Sequence, residues 1–241
     1  MSIGLVMGDA YYTSSEELLR DADMAMYHAK TKGQNRIGTF NPALLQQVRD
    51  RLHLEVELRQ AIERGDFALH YQPIVSLRSQ SLRGFEALLR WQKGDTLISP
   101  DVFIPIAEET GLIFELSRWV LHNACEQLRQ WQQKYPKLQS MGLSMSINLC
   151  ANQFSLPTLV AEIQQTLEHR QLRGQFLKIE ITESVLMQRL DSAREILAEL
   201  KAMGVRINID DFGTGYSSLS YLRHLPLDGI KIDRSFISQI N

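Results

Sequence analysis

Two adjacent aspartates end an alternating apolar run in the stretch VRINIDDFGTGYSSL, which begins at Val205. Asp210 and Asp211 can face two different cations, because carboxylate oxygens are the ligands that hard ions such as Mg²⁺ or Mn²⁺ prefer. Two ions roughly 3.5 to 4 Å apart are typical of metal-dependent phosphodiester hydrolysis. Gly213 and Gly215 permit a tight loop after the pair, although an ordinary turn would use glycine as well. The stretch therefore raises the hypothesis of a two-ion site.

Other short apolar runs carry isolated polar residues. Glu86 lies in GFEALLRW, Asn148 in SMSIN, Glu180 in KIEIT and Lys231 in IKID. In the last three runs, period-two alternation places the polar residue on the face opposite to the neighbouring isoleucines. Half-exposed antiparallel strands would show the same alternation. If helices instead cover the isoleucines of a parallel barrel, the carboxylates point into the barrel. Burying an unpaired carboxylate there costs several kcal/mol unless a cation or a strong hydrogen bond compensates it.

The composition is that of a globular protein with a sizeable core: of 241 residues, 44% are hydrophobic and 22% are charged. A formal charge of −2 gives no basic field for duplex phosphates, so no nucleic-acid polymer is expected as a partner. No apolar run approaches the roughly 18 residues that span a bilayer, so we expect no membrane contact from this segment and a cytoplasmic location. Cys125 and Cys150 lack metal-ligand spacing and are expected to be reduced core thiols.

Short apolar runs alternate with longer amphipathic segments from about residue 66 onward. Strands are predicted near residues 68–77, 82–91, 142–149, 176–181, 205–210 and 229–233, and helices near 100–109, 114–134, 157–170, 192–203 and 216–224. Strand and helix in alternation predict an α/β fold with a parallel sheet and helices outside it. Before this region, residues 1–40 predict a strand and a helix over 15–32, and residues 41–65 predict a second helix that connects the two regions.

Seven stretches of the chain together resemble the EAL family of cyclic di-GMP phosphodiesterases. They are YQPIV from Tyr71, EALLRW from Glu86, FIPIAEETGLI from Phe103, SINL around Asn148, IEITES from Ile179, DDFGTGYSSL from Asp210 and KIDRSFI from Lys231. The tripeptide EAL alone would carry no information, whereas the set of seven is highly specific. The resemblance covers the chain from about Leu52 to its end.

The resemblance implies a TIM-like (β/α)₈ barrel of EAL type that hydrolyses cyclic di-GMP to linear pGpG with two Mg²⁺ or Mn²⁺ ions. Its expected metal ligands are Glu86, Asn148, Glu180 and Asp210, with Asp211 serving the second ion. Lys231 would orient or polarise the attacking water, although it could also simply neutralise the carboxylates.

The resemblance also assigns residues to the substrate and to the loop after Asp211. Leu88 and Arg90 would line the substrate, with Arg90 donating to a phosphate, and Gln72 would contact a guanine. Asn148 and Asp210 are expected to contact the substrate as well as a metal ion. Glu183 would hold the loop DDFGTGYSSL. An exterior ion pair is the alternative role for Arg90.

Residues 1–40 resemble the last third of a GGDEF diguanylate cyclase domain, without its metal-binding carboxylates, so no cyclase activity is expected. Residues 41–65 would lead into an EAL domain over 66–241. Six strand-like runs precede Asn241, so the resemblance implies a C-terminally incomplete barrel that lacks one glutamate and one glutamine of the family. Because a barrel that is not closed exposes unpaired strand edges, these 241 residues by themselves are expected to associate through the open edge and to show no more than trace hydrolysis. The activity is expected in the parent protein, for which a homodimer is expected.

Two other classes of function are compatible with these residues. A non-catalytic module that binds cyclic di-GMP would keep the substrate residues, but it would have no need for Asp211 at a second ion. A different metal-dependent barrel enzyme, acting on a carboxylate substrate, would fit the oxygen ligands but leaves the seven matching stretches unexplained.

Overall fold

The computed structural model describes residues 1–8, 12–31, 35–188, 190–213 and 225–238. The chain divides into two compact units, residues 1–64 and 65–241. The first unit contains β1 (Ile3–Leu5), α1 (Ser15–Thr31), β2 (Ile37–Thr39) and α2 (Pro42–Arg64), with β1 and β2 paired in parallel. The strand β1 and both helices were predicted, whereas β2 was not. At the start of α1, the Ser14 hydroxyl accepts a hydrogen bond from the Glu17 amide at 3.2 Å, which satisfies one of the free amides of the first turn.

The second unit is built on a sheet in which the strands pair in the order β3–β4–β6–β7–β8–β9, with β5 paired to β4. The strands are β3 (Phe67–Val75), β4 (Leu82–Lys93), β5 (Thr96–Ile98), β6 (Ser144–Leu149), β7 (Leu177–Thr182), β8 (Arg206–Phe212) and β9 (Gly229–Ile232). The helices are α3 (Pro100–Thr110), α4 (Ile113–Lys134), α5 (Pro136–Ser140), α6 (Leu159–His169), α7 (Glu183–Gln188), α8 (Leu190–Ala202) and α9 (Arg234–Ile237). All six predicted strands of this unit are present, whereas Gly215 and the helix predicted over 216–224 lie outside the described residues.

The first strand of the unit departs from the predicted parallel arrangement. β3 pairs with β4 in antiparallel orientation, while the pairs β4–β6, β6–β7, β7–β8 and β8–β9 are parallel. Residues 76–81 connect β3 to β4, and six residues form a hairpin loop but cannot carry a parallel crossover, which needs a dozen or more. The prediction of an entirely parallel sheet was therefore wrong at this edge, and the three-residue β5 was not foreseen.

The isoleucine face of the central strands is the core. Ile179, Ile181, Ile207 and Ile209 have no exposed surface, and they belong to one hydrophobic cluster with apolar residues of α4, α6 and α8. Burying a side chain of this size stabilises the fold by about 1.5–3 kcal/mol. Because side chains alternate along a strand, the polar residues between these isoleucines lie on the other face of the sheet, which confirms the predicted alternation.

No helix among the described residues is both long and apolar enough to cross a membrane.

Asp228 attaches the start of β9 to β8. Its Oδ2 accepts a hydrogen bond from the Ile207 amide at 2.8 Å, and its own amide donates to the Ile207 carbonyl at 2.8 Å. Its Oδ1 accepts from Lys201 Nζ at 2.6 Å. Burial raises the pKa of the Asp228 carboxyl, but the hydrogen bonds from Lys201 and Ile207 outweigh burial and lower it overall. This anchor places β9, and with it Lys231, beside β8.

We expect Asp228→Ala to lower the free energy of unfolding by about 1–3 kcal/mol at pH 7, because hydrogen bonds to a charged group are lost. The carboxyl pKa is depressed in the folded state, so its contribution is fully present above the ordinary value of 3.8 and is lost as pH falls through the folded value. Urea denaturation at pH 7 and below pH 3.8 measures both effects. Glu195→Ala, at an exposed position of α8, is the control. Equal unfolding midpoints for the two variants at pH 7 would contradict the anchoring role.

Candidate active site

Polar side chains of five parallel strands meet at one edge of the sheet. Asn148 on β6 lies opposite Glu180 on β7, and the Asn148 amide Nδ2 donates to Glu86 Oε1 on β4 at 2.9 Å. Asp210 near the end of β8 and Lys231 on β9 complete the row. The carboxyl ends of parallel strands lie at the same edge of a sheet, which is where barrel enzymes carry their chemistry. The convergence predicted for these five residues is therefore present.

Three carboxylates bind the ammonium group of Lys231. Its Nζ lies 2.6 Å from Glu180 Oε2, 2.9 Å from Asp210 Oδ2 and 3.1 Å from Glu86 Oε2. The lysine side chain is 33% exposed, whereas that of Glu180 is 1% exposed. Lys231 thus contacts all three members of the carboxylate group and remains partly accessible to solvent.

The three carboxylates around Lys231 carry more negative charge than its single ammonium can neutralise. Burial raises the pKa of the Glu180 carboxyl and the charge of Glu86 raises it further, although the hydrogen bond from Lys231 opposes both. Burial by itself would lower the pKa of Lys231, but its hydrogen bonds to Glu180 and Asp210 and the charge of Glu86 raise it overall. Three carboxylates around one ammonium leave an excess of negative charge that attracts a further cation.

The donor set fits a hard divalent cation. Glu86, Glu180 and Asp210 each offer an oxygen, and these three oxygens lie within 4.8 Å of one another. Glu180 Oε1 is buried and has no hydrogen-bond partner among the described residues, which is a costly state for a carboxylate oxygen. An ion bound by oxygen ligands would satisfy it. Carboxylate and amide oxygens suit Mg²⁺ or Mn²⁺ better than zinc, so the residues fit the predicted ion.

Asp211 has an uncommon backbone conformation. Its φ is 52°, in the left-handed region that few residues other than glycine, asparagine and aspartate adopt, and its amide donates to Asp210 Oδ1 at 2.9 Å. The register between β8 and β9 shifts at this point, between Ile209 and Phe212. Burial raises the pKa of the Asp211 carboxyl, and the charges of Asp210 and Asp233 raise it further. The backbone therefore departs from regular strand geometry at Asp211, and the role of this residue at a second ion stays a prediction.

Glu183 contacts the beginning of the loop that follows the aspartates. Its side chain is almost completely buried at the start of α7, and Oε2 accepts a hydrogen bond from the Gly213 amide at 3.2 Å. Gly213 has a φ of 101°, which only glycine adopts readily. Residues 214–224 of the loop lie outside the described residues, so the role of Glu183 in holding the whole loop stays a prediction.

A cavity of about 490 Å³ adjoins the carboxylate group. Asn148 and Glu180 line it together with Leu88 and Arg90. Arg90 Nη1 donates to the Leu89 carbonyl at 2.8 Å, and no carboxylate among the described residues pairs with its guanidinium. The exterior ion pair considered for Arg90 is thus not seen in the described part of the chain. A phosphate in the cavity would meet an available guanidinium.

Gln72, the residue expected to contact a guanine, lies apart from the cavity lining. It is exposed on β3, directly opposite Glu86 on β4. This position is next to the carboxylate group, on the side away from Asn148.

Two polar residues near the site were missed by the sequence reasoning. Ser146 is buried on β6 opposite Glu86, and its Oγ has no hydrogen-bond partner among the described residues. Glu108 on α3 lines the cavity. Alternation along β6 could have identified Ser146, because it shares a face with Asn148. For Glu108 the available signal was its position in FIPIAEETGLI, four residues after Ile104 and therefore on the same helix face.

Comparison with known proteins places these features in a family. Residues 55–241 match the EAL domain. The chain is 42% identical over 240 residues to the bifunctional diguanylate cyclase/cyclic di-GMP phosphodiesterase MucR of Pseudomonas aeruginosa, covering 99% of the chain and 34% of MucR. It is 42% identical over 229 residues to the cyclic di-GMP phosphodiesterase NbdA of the same organism, covering 93% of the chain and 28% of NbdA. The chain thus spans about a third of the length of these relatives.

The fold is also that of solved EAL structures. The cyclic di-GMP complex of the PaMucR phosphodiesterase superposes with a TM-score of 0.73 at 44% sequence identity, covering 79% of this chain and 74% of the other. With its mostly parallel sheet and outer helices, the second unit has the α/β fold of a TIM-like EAL barrel. The chain belongs to the EAL domain family.

Proposed function

We propose that this EAL domain, within its parent protein, hydrolyses cyclic di-GMP to linear pGpG. The observation that carries the proposal is the group of three carboxylates around Lys231, beside a cavity in which the Arg90 guanidinium has no carboxylate partner among the described residues. The relatives MucR and NbdA are named as cyclic di-GMP phosphodiesterases, and the PaMucR structure contains cyclic di-GMP. These comparisons support the choice of substrate.

Glu86, Asn148, Glu180 and Asp210 would hold one divalent ion, and Asp211 would serve a second. Bound Mg²⁺ or Mn²⁺ supplies Lewis acidity toward a phosphate oxygen and lowers the pKa of a nearby water. The chain's own residues supply position and charge, because the strand ends fix the carboxylates on a rigid sheet.

Lys231 and Arg90 act on the reacting groups from two sides. The Lys231 side chain is one third exposed, and its ammonium contacts Glu86 and Asp210. The ammonium can therefore orient a water beside these carboxylates. Arg90 donates hydrogen bonds to a phosphate oxygen in the cavity and stabilises the charge that develops there. Glu183 keeps the backbone at Gly213 close to Asp211.

The proposal also assigns the chain to three regions. Residues 1–40 would derive from a GGDEF domain, residues 41–65 would form a connecting helix, and the EAL domain would begin at residue 66. The full-chain match to a bifunctional cyclase and phosphodiesterase supports this division. A homodimeric parent protein and a cytoplasmic location belong to the proposal, and the free thiols Cys125 and Cys150 are consistent with a reducing compartment.

Incubation of the protein with cyclic di-GMP and Mg²⁺ should yield linear pGpG, detected by chromatography, with cyclic di-AMP and a simple phosphodiester as control substrates. Cleavage should stop when EDTA removes the ion. Binding of cyclic di-GMP without cleavage under saturating Mg²⁺ would instead identify a non-catalytic receptor. Equal cleavage of the control substrates would contradict the proposed substrate.

Glu86→Gln should reduce hydrolysis by at least about 100-fold while keeping the fold, because it removes one negative ligand and also relieves repulsion among the carboxylates. Product formation and thermal melting measure the two effects separately. Glu195→Gln, at an exposed position of α8, is the matched control and should behave as wild type. Wild-type activity of Glu86→Gln at millimolar Mg²⁺ would show that Glu86 is not a ligand.

Mg²⁺ or Mn²⁺ should support turnover, and Ca²⁺ should inhibit it. Ca²⁺ takes more ligands at longer distances, so it binds the same oxygens without the compact geometry that in-line attack requires. Initial rates with each ion alone, and with Ca²⁺ added to the Mg²⁺ enzyme, test this expectation. Turnover with Ca²⁺ equal to that with Mg²⁺ would argue against the two-ion assignment.

A further inference from the structure

Glu108 and Arg90 line the same cavity. Glu108 lies on α3, where the fully buried Phe103 and Ala107 fix the helix against the rest of the unit. The Asn152 amide Nδ2 donates to the Glu108 carbonyl at 3.2 Å, which ties this turn of α3 to the segment after β6. The backbone of Glu108 is thus held from two sides.

The side chain of Glu108 has no polar contact with any residue that the structure describes. It is half-buried, and within the described part of the chain its carboxylate takes part in no hydrogen bond or ion pair. Burial raises the pKa of the Glu108 carboxyl, and the charge of Glu109 raises it further. A half-buried carboxylate without a donor is a costly group to maintain, so its position in a ligand cavity calls for a donor on the ligand.

The rest of the cavity indicates what kind of ligand carries that donor. Ile104, Ile113, Leu116 and Val120 give the cavity apolar walls, and Glu180 of the carboxylate group lines it as well. A flat ring fits apolar walls, and a phosphate fits Arg90 at the same cavity. A nucleotide base with two donors on one edge would satisfy both oxygens of Glu108.

We propose that Glu108 determines base specificity by accepting hydrogen bonds from N1–H and the exocyclic amine of one guanine of cyclic di-GMP. The inference rests on the proposed function and names the group that reads the base. An adenine would place its N1 lone pair against the carboxylate, so the same residue rejects adenine while it binds guanine. Arg90 holds the phosphate, and Glu108 fixes the base attached to it.

Two substrates, each tested with four proteins, show whether Glu108 pairs with guanine. Cyclic di-GMP and cyclic di-IMP differ in the exocyclic amine, which hypoxanthine lacks. We measure kcat and KM for both substrates with wild type, Glu108→Gln and Glu108→Asp under saturating Mg²⁺. Glu115→Gln, at an exposed position in the first turn of α4, is the matched control. Thermal melting of each variant confirms that it is folded.

Wild type and Glu115→Gln should prefer cyclic di-GMP over cyclic di-IMP by about 10- to 100-fold in kcat/KM, the effect of one hydrogen bond to a charged group. In Glu108→Gln the preference should shrink to about threefold or less, with the loss mainly in KM for cyclic di-GMP. Glu108→Asp keeps the charge and should retain most of the preference with a higher KM.

Two results would overturn the inference in different ways. If Glu108→Gln keeps the wild-type preference while wild type cleaves cyclic di-GMP, Glu108 does not read the base and the proposed function stands. If wild type neither binds nor cleaves cyclic di-GMP, the proposed function fails and the inference fails with it.

Discussion

The ammonium group of Lys231 is the contact on which the arrangement of the site depends. It joins β9 to β4, β7 and β8 through Glu86, Glu180 and Asp210. Three carboxylates with oxygens this close repel one another, and burying Glu180 adds a desolvation cost. The positive charge of Lys231 offsets part of the repulsion among the carboxylates and part of the desolvation cost of Glu180. The oxygens that bind the ammonium are also those expected to bind an ion, so the ion and Lys231 share ligands, and loading the site must loosen some of the lysine's contacts.

Strand register determines whether this group can exist. Side chains alternate with a period of two, so a slip of one residue between β6 and β7 would turn either Asn148 or Glu180 away from the site. The buried Ile179 and Ile181 prevent such a slip, because it would place them on the polar face. Apolar packing on one face of the sheet thus specifies the positions of the charges on the other. The local exception is Asp211, where the left-handed backbone releases the pair of aspartates from strict alternation.

Strand alternation and helix periodicity predicted most of the elements of the second unit from the sequence, together with the face on which the charged residues lie. They located the strands that carry Glu180 and Asp210, because polar residues between isoleucines leave a clear pattern. They did not identify the antiparallel β3, since orientation depends on the length of the connection and not on residue type. They also could not show that one Lys231 nitrogen contacts three carboxylates, because that depends on side-chain conformation across strands. The sequence did not identify Glu108 as a site residue, because an acidic residue on a helix usually faces water. Only the packing of α3 shows that Glu108 lines a cavity.

The chain distance between the partners of Lys231 has a consequence for how the protein folds. The lysine is 145 residues from Glu86 and 51 from Glu180. Contacts of such long range form only after most of the intervening sheet has assembled, since closing long loops costs entropy before the contact repays it. The carboxylate group therefore assembles late. An ion that binds only the completed group would slow unfolding without speeding folding.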